Sequence, residues 1–86
     1  MPRFIAVHTA PWTEEQLPEI QKAAGSLPPG ISYKLTYCDF DDGKFFCEWE
    51  APNKEAIEQI FRSMNAPYDA VYPVRLYTAA KMGFED

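Results

Sequence analysis

The stretch from Ile31 to Glu50 limits what this chain can become more than any other part of it. Ile31, Tyr33, Leu35 and Tyr37 alternate with Ser32, Lys34, Thr36 and Cys38, and Phe45, Cys47 and Trp49 alternate with Phe46, Glu48 and Glu50. Period-two alternation marks two half-buried strands. Asp41-Asp42-Gly43 between them has the composition of a hairpin turn.

What flanks this hairpin completes the pattern. Upstream, Phe4 to Thr9 contains Phe4, Ile5 and Val7 and reads as a first strand. Thr13 and Gln16 then have capping-box spacing, and Trp12 and Leu17 have staple spacing, so a helix follows. Leu17, Ile20, Ala24 and Leu27 recur at helical intervals and should face the core. Pro18 would forfeit a backbone bond inside a helix begun at Glu14, at a cost of about 3 kcal/mol. The expectation is therefore an irregular turn over 14–17 and a regular helix from Pro18 to Ala24, ended by Gly25 and by Pro28-Pro29-Gly30.

Downstream, Asn53 is a good N-cap for a second helix carrying Ala56, Ile57, Ile60, Phe61 and Met64 on one stripe. Asn65 and Pro67 stop that helix. Val71 to Thr78 reads as a last strand, which Pro73 places at a sheet edge or near the strand start. Residues 1–78 are expected to form one domain and 79–86 a C-terminal tail of weak structure. The order strand, helix, strand, strand, helix, strand predicts an α+β, ferredoxin-like βαββαβ sandwich. Right-handed crossovers would put strands one and three in the centre of a four-stranded antiparallel sheet, with both helices on one face.

Such a sheet has a second, uncovered face. Placing Ile5, Val7, Phe45, Cys47 and Trp49 under the helices assigns Phe4, Ala6 and His8 to the open side, beside Phe46, Glu48 and Glu50. Phe4 and Phe46 make that side too apolar for ordinary surface, and the expected solution is a homodimer packed sheet to sheet rather than a hydrated monomer. His8, the only histidine, would then share a face with two carboxylates. His8, Glu48 and Glu50 are thus the candidate ligands for a divalent transition metal such as nickel or zinc. The bland readings are a hydrogen-bonded strand-end histidine and two solvated glutamates. No residue is assigned a catalytic role on this evidence of spacing alone, because no Walker loop, dinucleotide fingerprint, HExxH, CxxC or nucleophile elbow occurs.

The hairpin register decides what the cysteines mean. A two-residue Asp42-Gly43 turn sets Cys38 opposite Cys47, close enough to bridge. A three-residue Asp41-Asp42-Gly43 turn sets Tyr37 opposite Cys47 and Leu35 opposite Trp49. The second keeps apolar with apolar and is preferred; Cys38 and Cys47 then lie on opposite faces as thiols. Two cysteines make no disulfide scaffold, so the cytoplasm is the default compartment. A formal charge of −5 excludes a phosphate-binding surface and so nucleic acid. The apolar runs fall short of the roughly 18 residues that a membrane helix requires.

Several short segments resemble a known family: Met1 to His8, Gly43-Lys44-Phe45-Phe46-Cys47, Glu50-Ala51-Pro52-Asn53 and Asp69-Ala70-Val71-Tyr72-Pro73-Val74. They are similar to small bacterial ferredoxin-like domains of unknown function that include nickel-binding, nickel-responsive members. The resemblance implies a sandwich fold, dimerisation through the sheet and a transition-metal site, with His8, Cys47 and Glu50 at positions that could touch a ligand. Related members often carry further histidines on the second helix, which here reads Ile57-Glu58-Gln59-Ile60-Phe61-Arg62. The leading functional expectation is a small non-catalytic protein that binds a metal or a small ligand at the open face of a homodimer. One alternative is an enzyme like the cofactor-independent monooxygenases and cyclases. It would have an inter-sheet pocket, His8 as general base, and Tyr33 or Tyr37 orienting the substrate. The other is a purely structural or interaction domain.

Overall fold

Strand β1, Arg3–Thr9, runs through the middle of a four-stranded antiparallel sheet in the computed structural model, which describes residues 2–85. The other strands are β2, Ser32–Asp39, β3, Lys44–Glu50, and β4, Ala70–Val74, in the order β2-β3-β1-β4. Helices α1, Gln16–Ala23, and α2, Lys54–Met64, make the two crossovers and lie on one face. This is the ferredoxin-like arrangement, with β1 and β3 central and Pro73 on the edge strand β4. No helix among the described residues is long and apolar enough to cross a membrane.

Both helices begin where local chemistry starts them. Asn53 has extended backbone and its Oδ1 accepts from the Ala56 amide at 2.9 Å; Asn65, in the left-handed conformation, closes the other end. Ile57 and Phe61 of α2 are buried against the sheet. Gln16 supplies half of a capping box, its Oε1 accepting from the Thr13 amide at 2.9 Å. Helix α1 starts at Gln16, two residues before the expected Pro18, because Pro18 falls in the first turn. The amides there have no intrahelical acceptor, so the ring removes nothing.

The phase of β1 is a correction to the sequence reading. Phe4 pairs with Trp49, Ala6 with Cys47 and His8 with Phe45, and directly paired residues share a face. Phe4, Ala6 and His8 therefore lie under the helices, buried, while Ile5 and Val7 lie half-buried on the open face. Apolar residues at four successive positions of β1 conceal the alternation. The polar residues Arg3 and Thr9, which share the parity of Ile5 and Val7, are what mark the open side.

Strand β2 holds two further corrections. A bulge between Tyr33 and Leu35 leaves Tyr33 opposite Trp49 on the helix side but turns Leu35 and Tyr37 outward, opposite Glu48 and Phe46. The turn spans Phe40 to Gly43, between the paired Asp39 and Lys44, so neither expected register occurs. Thr36 is opposite Cys47. Cys38 is opposite Phe45, on the same face as Cys47, and both cysteines are free thiols. The Asp39 carboxylate accepts from the Asp41 and Asp42 amides at 3.1 and 3.2 Å, which favours the longer turn. The chain after β4 is also more ordered than a tail. Strands β5, Tyr77–Thr78, and β6, Gly83–Phe84, form a small hairpin, so a division at residue 78 cuts through it. Arg75 covers the Phe84 ring at 4.0 Å and Tyr77 meets that ring edge-on.

Gly43 ties the hairpin turn to the end of β1. Its φ is +65°, its carbonyl accepts from the Ala10 amide at 3.0 Å, and a Cβ there would stand 2.9 Å from the Ala10 oxygen. Gly43→Ala is expected to lower the unfolding free energy by about 1–2 kcal/mol through the left-handed conformation alone. Urea denaturation measures it, and an unchanged midpoint would reject this account of the turn.

Candidate functional site

Helix α1 has an apolar side but buries none of its residues. Leu17, Ile20 and Ala24 stay half-buried because a cavity of about 610 Å³ separates them from the sheet, while Leu27, beyond the helix, lines the cavity and packs against the core. The cavity floor is His8, Cys47 and Trp49, with Tyr33 and Thr36 from β2; Phe61 of α2 and Trp12 stand at its sides. A volume of this order suits a small-molecule ligand, and the lining is mainly apolar with a few polar groups, as in most such sites.

The aromatic side chains hold one another. Trp49 packs on Tyr33 at 5.1 Å and meets Phe61 edge-on at 5.6 Å, while Trp12 lies 5.0 Å from Phe45. The His8 ring sits between Trp12 at 5.1 Å and Phe61 at 4.8 Å, the latter T-shaped. These separations fall in the favourable range for aromatic pairs. Only 2% of His8 is exposed. Its Nδ1 lies 2.7 Å from the Pro67 carbonyl oxygen, which can only accept, so Nδ1 carries the proton.

Burial lowers the His8 pKa below its usual value near 6.5, opposed in part by the Pro67 hydrogen bond and the nearby Asp69 charge. The ring is therefore neutral at pH 7, and Nε2 presents a lone pair. Along the floor, Tyr33 hydroxyl, Thr36 Oγ1 and Cys47 Sγ form a chain in which Thr36 donates to sulfur at 3.2 Å. Burial raises the Cys47 and Tyr33 pKa values, so both stay protonated and the thiol is a poor nucleophile.

The expected ligand set is not brought together. His8 lies under the helices, whereas Glu48 and Glu50 lie on the open face, because β1 pairs with β3 in the opposite phase to the one expected. Glu48 is 3.5 Å from Arg3 and Glu50 is 3.4 Å from Lys34, so each carboxylate has a cationic neighbour. Of the three residues implied by the resemblance, His8 and Cys47 do meet, at the cavity floor, but Glu50 does not join them. No three His, Cys, Asp or Glu side chains gather among the described residues. One imidazole and one thiol are too few donors for a nickel site built by one chain. The sequence reading missed Trp12, Trp49 and Phe61 as cavity walls. Their signal was indirect, in a first helix whose apolar stripe is too short to fill the space above the sheet.

Comparison with known proteins places the fold. Residues 4–74 match the model of the family described as "Nickel responsive protein SCO4226-like". The crystal structure of SCO4226 from Streptomyces coelicolor A3(2) is similar to this chain, with a TM-score of 0.77 and 21% identity. The match covers 88% of this chain and 99% of that one. The β5–β6 hairpin lies beyond the family match. No curated protein matches the sequence.

The buried neutral histidine sets a pH dependence. Below about pH 6.5 the unfolded chain binds a proton at His8 that the folded chain binds only at lower pH, so stability rises with pH through this window. The His8 contribution is complete above the unfolded value and is lost as the pH falls beneath it. Relative to His8→Gln, the wild type should lose more stability between about pH 7.5 and pH 5 in urea titrations. Parallel curves for the two proteins would contradict a buried, neutral imidazole.

Proposed function

The chain belongs to the SCO4226-like family of nickel-responsive proteins, and from that premise we propose that it is a small non-catalytic binding protein whose ligand lies between α1 and the sheet. The observation that carries this reading is the 610 Å³ cavity beneath a helix that buries none of its own residues. An isolated eight-residue helix is far below the roughly 12–15 residues needed for stability in water. An apolar ligand would supply the contacts that α1 lacks. The protonated Cys47 favours binding over covalent catalysis. The free thiols, one of them exposed, suit a reducing compartment such as the cytoplasm. Nickel held by a single chain is no part of this reading, since the donors on the two faces do not converge.

Both tryptophans of the protein stand in the cavity wall, so its intrinsic fluorescence reports on the site. Titration with N-phenyl-1-naphthylamine should give saturable energy transfer from tryptophan and a rise in Tm. A ligand that neither quenches the tryptophans nor moves Tm would refute the cavity as a binding site.

The open face supports a homodimer. Tyr72, Ile5, Glu48 and Leu35 form one cross-strand row, and Ala70, Val7, Phe46 and Tyr37 form the next. Leu35, Phe46, Tyr37 and Tyr72 are 39%, 39%, 67% and 55% exposed, an apolar strip across all four strands. The Arg3–Glu48 and Lys34–Glu50 pairs neutralise the charges beside it. A second copy packed on this strip completes the sheet-to-sheet dimer. Light scattering at micromolar concentration should give twice the mass of one chain, and Phe46→Lys should halve it. A wild type of single-chain mass would exclude the dimer.

A further inference from the structure

The cavity has an unequal supply of hydrogen-bonding groups. The Tyr33 hydroxyl and the Thr36 hydroxyl are spent along the floor, the first on Thr36 and the second on Cys47. The Trp49 indole N–H has no partner but is sealed from solvent. His8 differs. Its Nδ1 proton is committed to the Pro67 carbonyl at the back of the ring, while the ring itself lines the cavity. The strong polar group left for a ligand is thus an acceptor, the Nε2 lone pair, held rigidly between Trp12 and Phe61. Nε2 is not one of the sealed, unpartnered side-chain atoms, so it keeps open surface in the cavity, where water or a ligand O–H or N–H can donate to it.

The walls limit the remainder of the ligand. Indole, phenol and phenyl rings from Trp12, Tyr33, Trp49 and Phe61 surround the space, and ring faces and edges of this kind pack best on another flat π-system. Lys22 is the charged residue of the lining, but its side chain is 74% exposed and lies 3.6 Å from Glu19, and the floor of His8, Thr36 and Cys47 offers an ionised ligand no opposite charge.

We propose that the cavity binds neutral, planar aromatic compounds bearing a phenolic or enolic hydroxyl, which donates to His8 Nε2 while the rings lie between the aromatic walls. This assignment rests on the cavity being the ligand site and adds to it the chemical class of the ligand. Small-molecule recognition then depends on the fixed tautomer of a single histidine, and Pro67, on the link between α2 and β4, is the group that fixes it.

Three probes of one skeleton separate the two layers of this proposal: 2-naphthol, 2-methoxynaphthalene and naphthalene, each titrated calorimetrically into the full-length protein near pH 7. The hydroxyl should improve affinity about tenfold over the methyl ether, the effect of one buried neutral hydrogen bond. His8→Phe should bring the three affinities together. Because that variant also gives up the Pro67 hydrogen bond, a second readout uses the wild type alone. His8 is the only histidine, so the imidazole ¹⁵N spectrum contains one side chain. The Nε2 resonance should move upfield with 2-naphthol and stay in place with the ether. Equal binding of all three probes, with an unmoved Nε2 signal, would overturn the hydroxyl assignment and leave the cavity standing as an apolar site. Failure of all three to bind would overturn the cavity reading itself.

Discussion

The pairing of β1 with β3 governs everything on the helix side of the sheet. With Phe4 opposite Trp49, Ala6 opposite Cys47 and His8 opposite Phe45, four aromatic rings and two small residues are set side by side. Ala6, fully buried, leaves room in the middle of this row for Cys47 and for Val71 of β4. A slip of one residue would send His8 to water and bring Ile5 and Val7 inward, filling part of the cavity with β-branched side chains. Because the sheet has one covered face and one open face, a single register fixes the composition of both. It makes the helix side aromatic and polar at its floor, and the open side an apolar strip between ion pairs.

That register also explains which parts of the structure could be read in the residues. The element order, the centrality of β1 and β3, the Asn53 cap and the edge position of Pro73 all follow from signals confined to a few neighbours. Alternation worked in β3, where Phe45, Cys47 and Trp49 are buried and Glu48 and Glu50 are not. It failed in β1, where Phe4 to Val7 are apolar on both faces and only the flanking Arg3 and Thr9 distinguish them. In β2 it failed for a different reason. The bulge at Lys34 exchanges the faces in mid-strand, and that depends on tertiary fit, which no period records.

The candidate site was legible residue by residue but not as an assembly. His8 was recognisable as the only histidine, yet its significance changes with the face it occupies. Beside Glu48 and Glu50 it would be a metal ligand with carboxylate company. Under Trp12 and Phe61, with Nδ1 bound to a carbonyl, it is an acceptor in an aromatic chamber. The cavity itself is a property of where α1 stands relative to the sheet. Eight residues of helix, tethered by Thr13 and Gln16 at one end and by a turn through Pro28-Pro29-Gly30 at the other, do not descend far enough to fill it.

Helix α1 thus stands apart from the rest of the fold in how it can move. It contributes no buried side chain, whereas α2 anchors Ile57 and Phe61 in the core. Lifting α1 breaks few apolar contacts, so it can open sub-globally at a cost well below that of unfolding the sheet. Its amides would exchange with solvent deuterium through that local opening while those of β1 and β3 wait for global unfolding. A ligand enclosed beneath it would enter and leave on the timescale of helix opening. The residence time would then be set by an element that the core does not hold, and could be tuned by residues of α1 that never touch the ligand.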